Sequence, residues 1–119
     1  MDSPFKESYT FYQRLQEATR VIEKYPDRIP IICEKSKTQT NIPEIDKKKY
    51  LVPKDLTIGQ FIYVIRKRLH MRPDEGLFVF INGKLMATGS CLGEIYKMEH
   101  DADKFLYINY ARENIFGSL

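Results

Sequence analysis

Residues 46–72, DKKKYLVPKDLTIGQFIYVIRKRLHMR, encode in succession a short strand, a turn and an amphipathic helix. Lys49, Tyr50, Leu51 and Val52 are a β-prone run that stops at Pro53, which cannot donate to a ladder and suits a strand end or a sheet edge. Thr57 with Gln60 is a capping box and starts the helix. Ile58, Ile62, Ile65 and Leu69 then recur at helical spacing and predict one core-facing stripe. Phe61 and Val64 fall on a flank of the helix, with Arg68 one turn later. A wide core stripe accounts for them; so does an apolar groove between strand and helix, lined by Tyr50, Val52, Leu56, Phe61 and Val64. Lys47, Lys48, Lys49, Arg66, Lys67 and Arg68 would rim that groove, which suits a peptide carrying a hydrophobic side chain beside carboxylates.

Around this unit the remaining elements follow in order. Ser3-Pro4 is a helix start, cap then proline, and predicts a short helix over 4–9. Thr10 with Gln13 is a second capping box, opening a helix over 11–24 that presents Leu15, Ala18, Val21 and Ile22 on one side. Residues 28–35 read as a strand, with Ile29, Ile31 and Cys33 on one face; Pro30 argues against full pairing in mid-sheet. Residues 36–46 are polar and contain Pro43, so they read as a loop. Leu77 to Ile81 is an apolar strand, and Asn82-Gly83 is a hairpin turn with a short return at 84–86. Ser90 is placed to cap a helix reaching about Glu99, and 104–110 is a final alternating strand. Helices before the first strand look like an addition to a core that starts later.

A chain of 119 residues is one domain, large enough to bury a sizeable core. Its net charge of +3 favours acidic partners only weakly. No apolar run reaches membrane-spanning length, and the first residues lack a signal-peptide pattern. Cys33 and Cys91 match no metal spacing and read as reduced thiols. His70 and His100 have no nucleophile in a recognisable arrangement with them, so no catalytic residue, metal site or cofactor is expected. Asp101-Ala102-Asp103 lacks the rest of a calcium loop and reads as a solvated turn. The basic runs lack interleaved aromatics, which argues against nucleic acid. In the tail, Gly117 two residues before Leu119 has a chemical use: a glycine carboxylate threads a narrow channel that a side chain would obstruct.

Several segments together resemble one family: RIPIICEK at 28–35, IPEIDK at 42–47, KYLVP at 49–53, Gly59-Gln60-Phe61, Phe105-Leu106-Tyr107 and Phe116-Gly117. They are similar to the autophagy ubiquitin-like modifiers, the family of the GABA-receptor-associated protein and the microtubule-associated light chain. The resemblance implies an α+β ubiquitin-like β-grasp with a four-stranded mixed sheet. It would be divided into an N-terminal helical extension (1–26), the core (27–112) and a flexible tail (113–119). It further implies a non-enzyme, cut by a cysteine protease at the Gly117–Ser118 bond. Activating and conjugating enzymes would then join Gly117 to phosphatidylethanolamine, moving the protein from cytoplasm to autophagosome membrane. There it would recruit cargo receptors and autophagy machinery carrying aromatic-x-x-aliphatic motifs.

By the same resemblance Glu17, Val21, Pro30, Ile32, Lys49, Leu51 and Phe105 form an aromatic pocket. Tyr50, Val52, Pro53, Leu56, Phe61 and Val64 form an aliphatic one, and Arg28 and Arg68 meet the acidic flank of the peptide. A plain adaptor, using the groove without lipidation, is the alternative. A second family surface is implied near Phe78-Val79-Phe80, although core packing is the stronger reading of those residues.

Overall fold

The Ser3 side chain accepts from the Lys6 N–H and Pro4 takes the first helical turn, which starts α1 (Pro4–Ser8) as its sequence predicts. The computed structural model describes residues 3–38 and 41–112. Both capping boxes form: Thr10 with Gln13 opens α2 (Phe11–Lys24), and Thr57 with Gln60 opens α3 (Ile58–Arg68). The strands are β1 (Arg28–Lys35), β2 (Lys49–Pro53), β3 (Phe78–Ile81), β4 (Lys84–Leu85) and β5 (Leu106–Ala111), with α4 (Leu92–Glu99) between the last two.

They make one mixed sheet in the order β2-β1-β5-β3-β4, with β1 and β5 parallel at its centre and the other pairs antiparallel. This is the ubiquitin-like β-grasp, with five strands rather than four. The fifth is the two-residue return after the hairpin, too short to carry an alternation signal. Asn82 and Gly83 take φ of 52° and 75°, the left-handed pair that a type I′ turn requires.

Pro30 sits in β1 next to the sheet centre without breaking it. The Cys33 N–H donates to the Lys48 carbonyl, so alternate residues from Cys33 back to Ile29 point their main-chain groups at β2. Pro30 therefore faces β5, and the β5 register starts only at Ile31 opposite Leu106. The missing donor falls just before the parallel ladder begins.

The main core lies between the sheet and α3 with α4, built from Ile29, Ile31 and Cys33 of β1 and Ile58, Phe61, Ile65 and Leu69 of α3. Ile58, Ile65 and Leu69 are buried as expected; Phe61 is fully buried too and Ile62 only half-buried, so the inward stripe of α3 takes in the flank that Phe61 occupies. A smaller cluster of Phe5, Ala18, Ile32 and Phe105 lies on the other face, against α1 and α2. Ile42 and Ile45 are both 2% exposed, so the connection before β2 is anchored in the core rather than a polar loop throughout. The Tyr110 hydroxyl holds it there, donating to the Pro43 carbonyl and accepting from the Ile45 N–H, both at 2.8 Å.

Polar burial on the α1/α2 face departs furthest from expectation. Glu34 of β1 is buried and accepts from the Ser3 hydroxyl at 2.7 Å and the Phe5 N–H at 2.8 Å, which docks α1. Asp103 is 0% exposed, not solvated: its carboxylate takes Arg14 of α2, the Tyr107 hydroxyl and the Phe105 N–H. Arg14 is consequently buried with Ala18, while Leu15, Val21 and Ile22 remain partly exposed. Burial, then the bond to Asp103, pushes the Tyr107 hydroxyl well above its ordinary pKa. A Tyr107→Phe variant should lose about 1.5 kcal/mol, the lower end for a hydrogen bond to a charged group, since Asp103 keeps its other donors. A melting temperature about 3–6 °C lower in calorimetry checks this.

The α4 N-cap is Cys91 rather than Ser90, and no side chain caps it. The Ser90 carbonyl instead accepts from the Ile58 N–H at 2.9 Å, which ties the start of α3 to the residues before α4. Both cysteines are free. Val79 and Phe80 are each 1% exposed, so packing dominates there.

Candidate functional site

At one edge of the sheet, β2 has a single neighbour among the described residues, and register decides which of its main-chain groups that neighbour leaves unused. Tyr50 and Val52 lie opposite Ile31 and Ile29, the β1 positions that point at β2. Lys49 and Leu51 therefore turn their N–H and C=O groups outward, and Pro53, with no N–H, ends the edge.

Side chains alternate across this edge. On the α2 side, Glu17, Val21, Pro30, Lys49, Leu51 and Phe105 line a cavity of about 200 Å³, with Lys47 and Tyr50 completing its wall. Lys49 Nζ bonds Glu17 Oε2 at 2.7 Å across its mouth. Ile32, expected in this pocket, is 0% exposed and supports it from behind. Phe105 is 3% exposed because Phe5 of α1 packs edge-on against it, centroids 5.3 Å apart. Lys47, expected at the rim of the groove, also forms part of this wall, whereas the role of Phe5 was not evident in the sequence because it lies far from the residues it covers.

On the α3 side, Tyr50 is 7% exposed and meets the fully buried Phe61 edge-on at 5.4 Å, so the two form a wall rather than an open surface. Val52 and Leu56 are half-buried, and Pro53 and Val64 exposed; these four offer the accessible apolar atoms.

The cations divide among several tasks. Arg68 forms a bidentate pair with Asp46 at 3.1 and 3.2 Å, and that hydrogen bond holds the Asp46 carboxyl below the usual carboxylate range. Lys48 and Lys35 flank Glu44 at 3.8 and 3.6 Å. Lys47 Nζ lies 5.0 Å from the Tyr50 ring and Lys67 Nζ 5.4 Å from Tyr63. Arg66 does not rim the groove: it donates to the Glu75 and Arg72 carbonyls at 2.6 and 2.7 Å and fastens the end of α3 to the following turn. Arg28 is exposed, its guanidinium 5.4 Å from the Tyr25 ring, and it borders a different cavity. Gly117 and the Gly117–Ser118 bond lie outside the described residues.

Such an edge accepts an extended peptide as an added strand. Successive peptide side chains alternate between faces, so residues three apart fall on opposite sides. An aromatic-x-x-aliphatic segment would thus send one anchor toward α2 and the other toward α3.

The family model described as autophagy protein Atg8, ubiquitin like, matches residues 13–117. Autophagy-related protein 8 of Mycosarcoma maydis is 53% identical over 119 residues, covering all of both chains. Its counterpart in Schizosaccharomyces pombe is 50% identical over 119 residues, 100% of this chain and 98% of its own length. The crystal structure of Trypanosoma brucei ATG8 matches with a TM-score of 0.89 at 44% identity, covering 98% of this chain and 100% of that one.

Proposed function

This chain belongs to the Atg8 family of ubiquitin-like autophagy proteins, and from that premise we propose how it acts as a modifier. A cysteine protease cuts the Gly117–Ser118 bond. An ATP-dependent activating enzyme and a conjugating enzyme carry Gly117 as thioesters, and its carboxyl forms an amide with phosphatidylethanolamine. The chain is a substrate throughout and supplies no catalytic group. Once attached to autophagic membranes, it recruits receptors and autophagy machinery at the β2 edge, taking the motif's aromatic and aliphatic anchors on opposite faces. Before attachment it is cytoplasmic. No helix among the described residues is long and apolar enough to cross a membrane; attachment in this reading comes from the two lipid chains.

The observation that carries the peptide reading is the outward Lys49 and Leu51 main chain, set between the 200 Å³ cavity and the Tyr50–Phe61 wall. Intact-mass measurement of the cellular protein, before and after autophagy induction, tests the modifier reading. Loss of Ser118 and Leu119 followed by gain of the lipid mass is expected. A chain that keeps both residues and never gains lipid is the plain adaptor instead.

The Arg68–Asp46 pair makes a further prediction. Arg28 and Arg68 meet the peptide's acids in this reading, yet Arg68 is already engaged by Asp46. Asp46→Asn weakens that competitor and should raise affinity for acid-flanked peptides a few-fold, leaving neutral-flanked ones unchanged. The gain should shrink with added salt, because every group involved is exposed. Calorimetric titration of the two peptides at low and high salt checks it.

A further inference from the structure

Where β1 begins and α2 ends, beyond Pro53 at the end of the peptide edge, the surface holds an open cavity of about 670 Å³. That volume lies within the range of about 300–1,000 Å³ typical of small-molecule sites. Its walls are apolar: Ile22 of α2, Pro26, Ile29 of β1, and the Tyr96 ring of α4, stacked on His100 with centroids 4.8 Å apart. The Tyr96 hydroxyl and one nitrogen of the His100 ring are engaged by main chain. The Tyr96 hydroxyl donates to the Lys104 carbonyl at 2.6 Å, and His100 Nδ1 lies 2.8 Å from the Tyr96 carbonyl oxygen. With its hydroxyl engaged, the Tyr96 ring offers carbon to the interior.

The wall between α4 and the β2–α3 connection is closely fitted. The Gly93 N–H donates to the Lys54 carbonyl at 2.8 Å, and a Cβ on Gly93 would stand 2.9 Å from that oxygen. Charge is confined to the border: Arg28, Lys54, Lys97 and Lys104 outnumber Asp55 and Glu94, and Glu94 pairs with Lys97 at 3.4 Å.

A mainly apolar interior bordered by excess positive charge fits one kind of ligand. We propose that this cavity binds a single acyl chain ending in an anionic head, the methylenes against Ile22, Ile29 and Tyr96 and the head among Arg28, Lys54 and Lys104. The site does not use the outward main chain of Lys49 and Leu51, and it has only Arg28 in common with the proposed peptide contacts, so it stands whether or not the modifier reading does. A free carboxylate and a phosphate-headed lipid share this chemistry and are separated in the test.

Cys91 lines the cavity and is half-buried, whereas Cys33 is fully buried, so thiol labelling of the folded chain reports on this site. The full chain is treated with N-ethylmaleimide in the presence of laurate, dodecyl phosphate or dodecanol, all below micellar concentration. Saturable slowing of Cys91 labelling by laurate, by dodecyl phosphate or by both is expected, with no comparable effect of the alcohol; the better of the two anions identifies the head group. Lys54→Glu with Lys104→Glu should weaken that anion about tenfold, with the melting temperature and groove-peptide affinity unchanged. No protection by either anion, equal protection by dodecanol, or full binding by the folded double variant overturns the site. Should that variant fail to fold, amide shifts of the wild type decide. The anion that protects Cys91 must move the Cys91 and Tyr96 signals and leave Lys49 and Leu51 in place; the opposite pattern overturns the site too.

Discussion

A Leu51→Pro variant should keep its fold and bind an aromatic-x-x-aliphatic peptide roughly a hundredfold more weakly. Proline inside a sheet ordinarily removes a ladder bond. Leu51 escapes that cost because its main-chain groups point away from β1, as the pairing of its neighbours Tyr50 and Val52 requires. The same position is central to the proposed edge. Proline there deletes the donor that an added strand would use, worth about 1 kcal/mol. It also deletes a side chain lining the α2-side cavity, an anchor loss of about 2 kcal/mol. The sum, about 3 kcal/mol, is a little over two powers of ten.

Tyr50→Pro is the control for the ladder itself. It removes an N–H directed at Ile31 and a ring packed on Phe61, and should destabilise the whole domain. Peptide titration by fluorescence polarisation, with thermal melts of both variants, reads the contrast. A folded Leu51→Pro chain with near-normal affinity would remove the β2 edge as the binding site. Tyr50→Ala with Leu51→Ala is less informative, because Tyr50 is 7% exposed and its truncation opens the main core.

How legible these features were depended on whether their signal was local. Both capping boxes, the Asn82-Gly83 turn and the alternation of β5 rest on residues a few positions apart, and each forms as its sequence predicts. Of the expected α3 stripe, Ile58, Ile65 and Leu69 are buried, while Phe61 takes the fully buried place expected of Ile62. Phe61 and Ile62 are neighbours on the helix, and it is Phe61 that meets Tyr50, a residue of another element. Asp103 looked like a solvated turn because its partner Arg14 is 89 positions away. Ile42 and Ile45 looked like loop residues because Tyr110, which fixes that segment, comes from the last strand.

The candidate site shows the same division. The β2 run was readable, but the engagement of its surrounding cations by Glu17, Asp46 and the Glu75 carbonyl was not. Charge counted along a sequence says nothing about which charges the fold has already paired.

Gly117→Ala should abolish lipid attachment while leaving peptide affinity unchanged, and this separates the modifier from the adaptor. The proposal gives Gly117 two tasks that a side chain obstructs: threading the protease channel as far as the Gly117–Ser118 bond, and presenting its carboxyl for thioester transfer. Alanine adds a Cβ to the residue whose carbonyl is attacked, so cleavage or transfer should fall below detection. Neither task involves the β2 edge, so receptor peptides should bind as before. A chain ending at Gly117 should bypass the protease and still need ATP and both carrier enzymes. The expected product is an amide to a lipid with two acyl chains. Each buried methylene contributes about 0.8 kcal/mol, and two chains exceed the marginal hold of one. The net charge of +3 adds only a weak attraction to anionic headgroups. Reconstitution with a family protease, both carriers and phosphatidylethanolamine vesicles, read by intact mass, decides the matter. Lipidation of Gly117→Ala at the wild-type rate, or a wild-type chain that never gains the lipid mass, would leave the β2 edge as this protein's sole recruiting device and make it an adaptor.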